Sequence, residues 1–205
     1  MMDNPLSGII DWAWASAALE EECGDCHVVA QRPHGVLFAA IDGLGHGAEA
    51  AEAARAAAAL LHARAASRVE ELVSSCHVAL RPTRGAVMSL AALDIRFETI
   101  DWCGVGNVET VLFRAAPGPG RPREGLACPG GVVGYRLPAT RVTSVPMRPQ
   151  DVLIMATDGI REDFSDSPDL SGDAQLIADT ILARHAKGTD DALVLVARYL
   201  GARNE

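Results

Sequence analysis

Aromatic residues are scarce in this chain of 205 residues: they make up 4% of it, although 49% of the residues are hydrophobic. We therefore expect a core built mainly from Ala, Val, Leu and Ile. Positive charge is also in short supply, since 18 Lys and Arg stand against 27 Asp and Glu and leave a formal charge of -9. Because such a chain repels phosphate backbones, a nucleic-acid partner is excluded.

Long apolar runs are missing too. No uninterrupted stretch reaches the roughly 18 apolar residues that a membrane-spanning helix needs. The segment Met1 to Ile10 lacks the basic and apolar parts of a secretory signal. These features predict a soluble, cytoplasmic protein without a membrane partner. The length allows a substantial core, and we expect residues 1–205 to form a single domain.

The five cysteines are an odd number and cannot all pair. Without an export signal, reduced thiols are expected. One spacing leaves an alternative open, because Cys23, Cys26 and His27 match the C-x-x-C-H pattern of covalent haem attachment. Haem attachment usually accompanies export, and no second cysteine pair has zinc-finger spacing. Haem or zinc is therefore a minor alternative to ordinary thiols beside Asp25.

Hydrophobic patterning predicts mostly strands, interrupted by helices. The predicted strands are Ile9–Ala18, Cys26–Gln31, Gly35–Ile41, Ala86–Ile95, Phe97–Cys103, Val108–Arg114, Thr140–Val145, Val152–Ala156 and Ala192–Tyr199. The predicted helices are about His46–Ala65, Val69–Leu80 and Asp173–Lys187. This order predicts an α+β fold in which two antiparallel sheets pack face to face with helices outside. The segment Pro117–Pro122 is expected to form a surface hairpin loop.

Carboxylates stand at the ends of several apolar runs. They belong to Asp42-Gly43, Asp158-Gly159 and Asp190-Asp191. Glycine lets a backbone carbonyl and a carboxylate of one turn face the same ion. The glycine-rich turn after Asp42 could instead bind phosphate or be only a tight turn. Because buried carboxylates are costly unless they are paired or metal-bound, and no run of Lys or Arg adjoins them, we favour Mg²⁺ or Mn²⁺.

Six short motifs follow one another along nearly the whole chain. In order they are Gly24-Asp25, Asp42-Gly43, Arg84-Gly85-Ala86, Gly104-Val105-Gly106-Asn107, Thr157-Asp158-Gly159 and Asp190-Asp191. This order resembles that of the PP2C-type metal-dependent protein serine/threonine phosphatases. Within that family, the stretches DGLGHG, RGAVMSLA and GVGN are most similar to the RsbX-type stressosome phosphatases, which are related to the SpoIIE class.

The resemblance implies a PP2C-like αββα sandwich with two Mn²⁺ or Mg²⁺ ions at one end. Asp42 would bridge both ions, and the carbonyl of Gly43 would bind one of them. Asp158 and Asp190 would hold the other ion, while Asp25 would act largely through bound water. The same resemblance assigns catalysis to these four aspartates, because the two ions activate a water molecule and no protein nucleophile is needed.

Other residues leave alternatives open. The last family motif begins with the ligand acid, so Asp190 is preferred and Asp191 has a supporting role. Leu44 stands where many family members have a histidine; His46 is either the proton donor or a solvated residue at the helix start. Arg32 is a weak candidate for phosphate binding, with a solvated hairpin position as the alternative.

Two loops also have two interpretations. Gly104, Gly106 and Asn107 either shape the floor of the site or form an ordinary hairpin between two strands. The acidic stretch Arg161 to Asp169 is expected to be a mobile loop near the cleft that selects the partner.

The expected function is hydrolysis of phosphoserine or phosphothreonine on a bacterial regulatory protein. The resemblance to stressosome phosphatases suggests phosphorylated STAS-domain proteins as substrates, and we expect a monomer. A different class of function also remains: a catalytically silent PP2C-like module that binds a regulatory partner.

Overall fold

The computed structural model describes residues 8–115 and 123–201. The strands are β1 (Ile10–Ala17), β2 (Asp25–Arg32), β3 (Gly35–Gly43), β4 (Ala86–Asp94), β5 (Thr99–Val105), β6 (Glu109–Phe113), β7 (Arg123–Gly125), β8 (Thr143–Pro146), β9 (Val152–Ala156) and β10 (Ala192–Tyr199). The helices are α1 (Ala48–Ala63), α2 (Val69–Ala79) and α3 (Ala174–His185). No helix in these ranges is long and apolar enough to cross a membrane.

The strands form two five-stranded antiparallel sheets. The first has the order β1-β10-β9-β6-β7, and the second has the order β2-β3-β4-β5-β8. Helices α1 and α2 pack on the outer face of the second sheet, and α3 packs on the outer face of the first. The predicted αββα sandwich is therefore confirmed.

Strand β3 shows how the layers are held together. It is buried along both faces, as a continuous apolar run predicts. Alternate side chains enter different clusters, because successive residues of a strand point to opposite faces. Val36, Phe38 and Ala40 pack between the two sheets. Leu37, Ala39 and Ile41 pack against the helices. The hydrophobic layers on the two sides of β3 thus fix the position of its acidic end.

Helix α1 lies close to that end of β3. Its buried face consists almost entirely of alanine: Ala50, Ala51, Ala53, Ala54, Ala57, Ala58 and Leu61. A Cβ added to Gly43 would lie 2.1 Å from the carbonyl oxygen of Ala50. Since no side chain fits there, glycine is required at this position. The Asp42 carboxylate is therefore held beside the first turns of α1.

The sequence located the predicted helices and strands to within a few residues. The short edge strand β7 was not predicted. Strands β2 and β3 extend further than predicted and include Asp25 and Asp42. The predicted loop at Pro117–Pro122 lies outside the described residues. That residues 1–205 form one domain stays a prediction.

Part of the acidic stretch after Asp158, where a mobile loop was predicted, has regular structure; that the stretch is mobile and selects the partner stays a prediction. Glu162–Ser165 forms a 3-10 turn whose Phe164 side chain is 1% exposed and packs beneath α3. Arg123 donates a hydrogen bond to the Ser165 hydroxyl at 3.0 Å. The hydrophobic anchor Phe164 thus overrides the polar composition of the surrounding sequence.

Candidate metal centre

Asp25 and Asp42 form the part of the site that belongs to the second sheet. They are directly opposite each other in the β2–β3 register. Burial, together with the charges of Asp191, Asp158 and Asp190, raises the pKa of Asp25 to about 7, although a hydrogen bond from Thr157 acts in the opposite direction. Burial and the same group of carboxylates, together with Asp25, raise the pKa of Asp42 to about 8. These two acids therefore hold their negative charge at a considerable energetic cost.

Thr157 joins this pair to the first sheet. It follows β9, and its hydroxyl donates a hydrogen bond to Asp25 Oδ2 at 2.6 Å. The same hydroxyl oxygen accepts a hydrogen bond from the Leu193 backbone amide at 2.8 Å. Thr157 is 1% exposed, so both hydrogen bonds are protected from water. The sequence motif contained this residue, but its role as the link between the sheets was not predicted.

Asp158, the next residue, is held from two sides. The Asn107 side chain donates to Asp158 Oδ2 at 2.7 Å, and the Lys187 ammonium donates to the Asp158 backbone oxygen at 2.5 Å. Asn107 can reach it because the segment Gly104–Asn107 crosses from β5 in the second sheet to β6 in the first. The hairpin interpretation of this segment was therefore wrong; Asn107 lies beside Asp158, which agrees with the other interpretation.

The two acids before β10 differ in their surroundings. Asp191 is 3% exposed, and its two carboxylate oxygens accept hydrogen bonds from the backbone amides of Leu19 at 2.7 Å and Gly24 at 2.8 Å. Asp190 is less buried, and its Oδ1 accepts a hydrogen bond from the Asp191 amide at 2.9 Å. Asp191 thus positions the loop that leads into Asp25, while Asp190 keeps an oxygen for a further partner.

Gly24 and Gly43 complete the connections. The Gly43 amide donates to the Gly24 carbonyl at 3.0 Å, and a Cβ on Gly24 would lie 2.9 Å from Asp191 Oδ2. The backbone around Asp25, Asp42 and Asp191 is therefore packed without room for side chains at the two glycines. The structure brings all the predicted acidic residues to one end of the sandwich.

The neighbouring aspartates are close enough to Asp25 and Asp42 to raise the pKa of these two carboxyls, yet the side chains are not gathered as ligands around one point. Within the described ranges, no group of three or more His, Cys, Asp or Glu side chains is arranged to hold a metal ion. The donors present are carboxylate and carbonyl oxygens, which suit hard cations such as Mg²⁺ and Mn²⁺. The chemistry of the donors therefore fits these ions.

Arg32 was a candidate for binding phosphate, and the structure contradicts it. Arg32 ends β2, seven residues from Asp25, which corresponds to about 23 Å along a strand. Its guanidinium donates to the backbone oxygens of Ala65 at 2.8 Å and Ser67 at 3.0 Å. It therefore ties the connection between α1 and α2 to the opposite end of the sheet.

His46 lies next to the site but faces another acid. Its Nδ1 is 2.6 Å from Glu20 Oε1, and about half of each side chain is exposed. This arrangement matches the interpretation of a solvated residue before the first turn of α1. Among the hydrogen bonds and ion pairs of residues 8–115 and 123–201, none joins His46 to the aspartates named above.

The haem alternative finds no support in the position of its residues. Cys26 and His27 are successive residues of β2, so their side chains point to opposite faces. Cys26 packs towards the helices, whereas the His27 ring lies 4.2 Å from the Trp14 ring. All five cysteines are free thiols, in agreement with the prediction.

Comparison with known proteins decides the family. The model of the family described as "Stage II sporulation protein E (SpoIIE)" matches residues 32–200. The chain belongs to the SpoIIE family. The family suggested by the order of the six motifs is thus confirmed. The predicted class, a serine/threonine phosphatase hydrolase, agrees with this family and with the relatives found.

A curated relative is phosphoserine phosphatase RsbX of Bacillus subtilis (strain 168). It is 31% identical to this SpoIIE-family chain over 90 residues, which cover 44% of the chain and 45% of RsbX. The match therefore spans under half of that relative's length.

Solved structures extend the likeness to most of the chain. A chain from a study of the bacterial stressosome as a modular system adapted to control secondary messenger signaling has a TM-score of 0.83 and 27% identity, covering 92% of this chain and 99% of that one. RsbX in complex with magnesium has a TM-score of 0.78 and 21% identity, covering 93% and 96%. The PP2C domain of SpoIIE from Bacillus subtilis has a TM-score of 0.76 and 20% identity, covering 95% and 64%. The fold is therefore PP2C-like.

Proposed function

We propose that this protein hydrolyses phosphoserine or phosphothreonine on a regulatory protein, with two divalent cations bound at the acidic end of the sandwich. The observation that carries the proposal is the meeting of carboxylates from both sheets. Asp25 and Asp42 belong to the second sheet, whereas Asp158 and Asp190 adjoin strands of the first. The crowding of these acids, with pKa values of about 7 and 8 on two of them, supports the proposal that cations bind here.

Four aspartates and one carbonyl would hold the ions. These are Asp25, Asp42, Asp158 and Asp190, with the Gly43 backbone oxygen. When bound, such a pair of Mg²⁺ or Mn²⁺ ions lowers the pKa of a water molecule and neutralises charge on a phosphoryl group. RsbX has been solved with magnesium, which supports Mg²⁺ as the first ion to test.

The chain's own residues orient these acids. The Thr157 hydroxyl fixes one oxygen of Asp25, and the Asn107 amide fixes one oxygen of Asp158. Asp191 uses both of its oxygens on backbone amides and so positions the loop before Asp25. Fixing ligands by a surrounding set of hydrogen bonds limits the rearrangement that binding requires. Asp191 therefore acts as a positioning residue in this proposal, in line with its predicted supporting role.

The substrate would be a phosphorylated STAS-domain protein in the cytoplasm, with this chain acting as a monomer. The phosphoserine phosphatase RsbX and the stressosome chain support the choice of a stressosome-type phosphoprotein as substrate. A cavity of about 420 Å³ adjoins Asp158 and is lined by Asn107, Ile160 and Lys187. It offers room for residues of a protein substrate beside the phosphate.

A regulatory module without turnover is the second candidate. It is favoured by Leu44, which is 37% exposed at the position where the family resemblance leads one to expect histidine. The enzyme remains the preferred proposal, because every acid needed for the ions is present. Water or the substrate itself would then supply the proton for the leaving group.

Release of phosphate from a phosphorylated STAS-domain protein tests the proposal. We expect release with Mg²⁺ or Mn²⁺, none with EDTA, and a loss of at least 100-fold in Asp42→Asn and Asp158→Asn. Asp101→Asn is the matched control, because Asp101 is exposed on β5. Metal-independent release, or full activity in both site variants, would contradict the mechanism. Binding of the partner by calorimetry without metal binding or turnover would favour the regulatory module.

A further inference from the structure

A phosphorylated serine brings up to two negative charges to an end of the molecule that already carries five carboxylates. The protein as a whole is also acidic, with a formal charge of -9. Cationic side chains at the rim of the site could therefore offset the negative charge of the substrate. Two of them contact the turns that carry the acids. Lys187 is engaged with the backbone oxygen of Asp158, and Arg84 lies on the other side, over the turn after Asp42.

Arg84 is placed there by its neighbours along the chain. The following residue, Gly85, has a φ of +83°, a conformation that favours glycine. The Gly85 carbonyl accepts a hydrogen bond from the Leu44 amide at 3.0 Å. The Arg84 Nη1 atom lies 2.9 Å from the point that a Cβ on Gly45 would occupy. The guanidinium thus lies on the glycine-rich turn itself, two to three residues beyond Asp42.

The partner of Arg84 in this structure is easily exchanged. Its Nη2 forms an ion pair with Glu49 in the first turn of α1, and 50% of the Arg84 side chain and 65% of the Glu49 side chain are exposed. Exposed ion pairs of this kind contribute little to stability, because water screens them. A phosphate, which carries more charge and accepts two parallel hydrogen bonds from a guanidinium, is a stronger partner.

We propose that Arg84 binds the phosphate of the substrate and releases Glu49 when it does so. This inference rests on the proposed phosphatase function and adds a substrate-binding residue to it. It assigns to Arg84 the task for which Arg32 had been considered. Glu49 competes with the substrate for the Arg84 guanidinium. Replacing Arg84 should therefore weaken phosphate binding, and replacing Glu49 should strengthen it.

The test compares four variants with the wild-type protein in the metal-supplemented assay: Arg84→Ala, Arg84→Lys, Glu49→Gln and Arg55→Ala. Arg84→Ala is expected to lower kcat/KM about 10- to 100-fold, the range for a lost hydrogen bond to a charged group. It should also weaken inhibition by inorganic phosphate to a similar extent. Arg84→Lys should recover part of the loss, because it keeps the charge without the paired donors. Glu49→Gln should strengthen phosphate inhibition several-fold.

Arg55→Ala is the matched control. Arg55 forms a similar exposed ion pair with Glu22 beside α1, and its loss should leave kcat/KM and phosphate inhibition unchanged. Thermal unfolding of each variant identifies misfolding. Should Arg84→Ala unfold, the response of Glu49→Gln still decides: unchanged phosphate inhibition in that variant overturns the inference.

The outcomes separate the inference from the function on which it rests. A wild-type protein that releases no phosphate with either cation contradicts the phosphatase itself. An active wild-type protein whose kcat/KM and phosphate inhibition are the same in folded Arg84→Ala contradicts only the role of Arg84.

Discussion

Replacing Asp42 by Asn should make the metal-free protein more stable while it removes the proposed activity. Asp42 is half-buried, and Asp25 lies directly opposite it in the neighbouring strand. Burial and the surrounding aspartates raise its pKa from 3.8 to about 8. Asparagine has nearly the same shape but no charge, so the variant relieves the crowding without opening a cavity.

The raised pKa fixes the sign and the scale of the effect. A carboxyl whose pKa is higher in the native state contributes stability that is fully present below the unfolded value of 3.8 and is lost as the pH rises through about 8. One pKa unit corresponds to about 1.4 kcal/mol. The charged form of Asp42 therefore lowers the free energy of unfolding by an amount on the order of 5 kcal/mol at pH 9. At pH 5 the native carboxyl is largely protonated, and most of the gain from Asp42→Asn disappears.

Urea unfolding in EDTA at pH 5, 7 and 9 measures this difference. The free energy of unfolding of Asp42→Asn should exceed that of the wild-type protein by a few kcal/mol at pH 9 and by much less at pH 5. The exposed control Asp101→Asn should stay within about 0.5 kcal/mol of wild type. With Mg²⁺ at 100 times its Kd, the wild-type protein and Asp101→Asn should each gain about 2.7 kcal/mol, whereas Asp42→Asn should not. An Asp42→Asn variant that is less stable than wild type at pH 9 would refute the argument from crowding.

Three further predictions concern the residues around the acids. Thr157→Val should lower the free energy of unfolding by about 1 to 3 kcal/mol, because Asp25 loses a buried hydrogen bond; urea unfolding at pH 7 checks this, and an unchanged midpoint contradicts it. Asp191→Asn should lower the free energy of unfolding by a similar amount, again measured by urea unfolding. Asp190→Asn should leave the stability of the metal-free protein unchanged and should abolish metal binding in calorimetry. The opposite results would mean that Asp191 is the ligand and Asp190 the positioning residue. His46→Ala should lower kcat less than about 5-fold, since its ring faces an exposed glutamate, and a 100-fold loss would restore it as the proton donor.

The pattern of hydrophobic residues was enough to predict most of the helices and strands. Runs such as Val152–Ala156 and Ala192–Tyr199 were located to the residue, because a strand buried on both faces leaves an unbroken apolar signal. The three-residue strand β7 has no such signal, since none of its residues is fully buried. The anchored turn at Phe164 was hidden for a related reason: a single buried side chain within an acidic stretch does not change the average composition.

The sequence predicted which aspartates belong to the candidate site. It did not predict the hydrogen bonds that orient them. The motif order located Asp42 and Asp158 by resemblance, whereas the contacts that orient them join residues far apart in the chain. Asn107 and Asp158 are an example, separated by 51 positions. Whether Gly104–Asn107 turned back on itself or crossed between sheets depended on which strands pair, and sequence spacing alone is compatible with both. The residues next to Arg84 in the sequence likewise did not indicate that its side chain lies over the turn at Gly45.

The proposed ligands come from two different sheets, so the two sheets must pack together before the site can form. The hydrogen bond from Thr157 to Asp25 spans 132 positions in the chain and two sheets. Within either sheet alone, only two of the four proposed aspartate ligands would be present. Packing between the sheets, through side chains such as Phe38 and Met155, therefore sets the spacing of the carboxylates. The free energy of packing the hydrophobic layer thus offsets the repulsion between the carboxylates. Bound cations would reduce this repulsion.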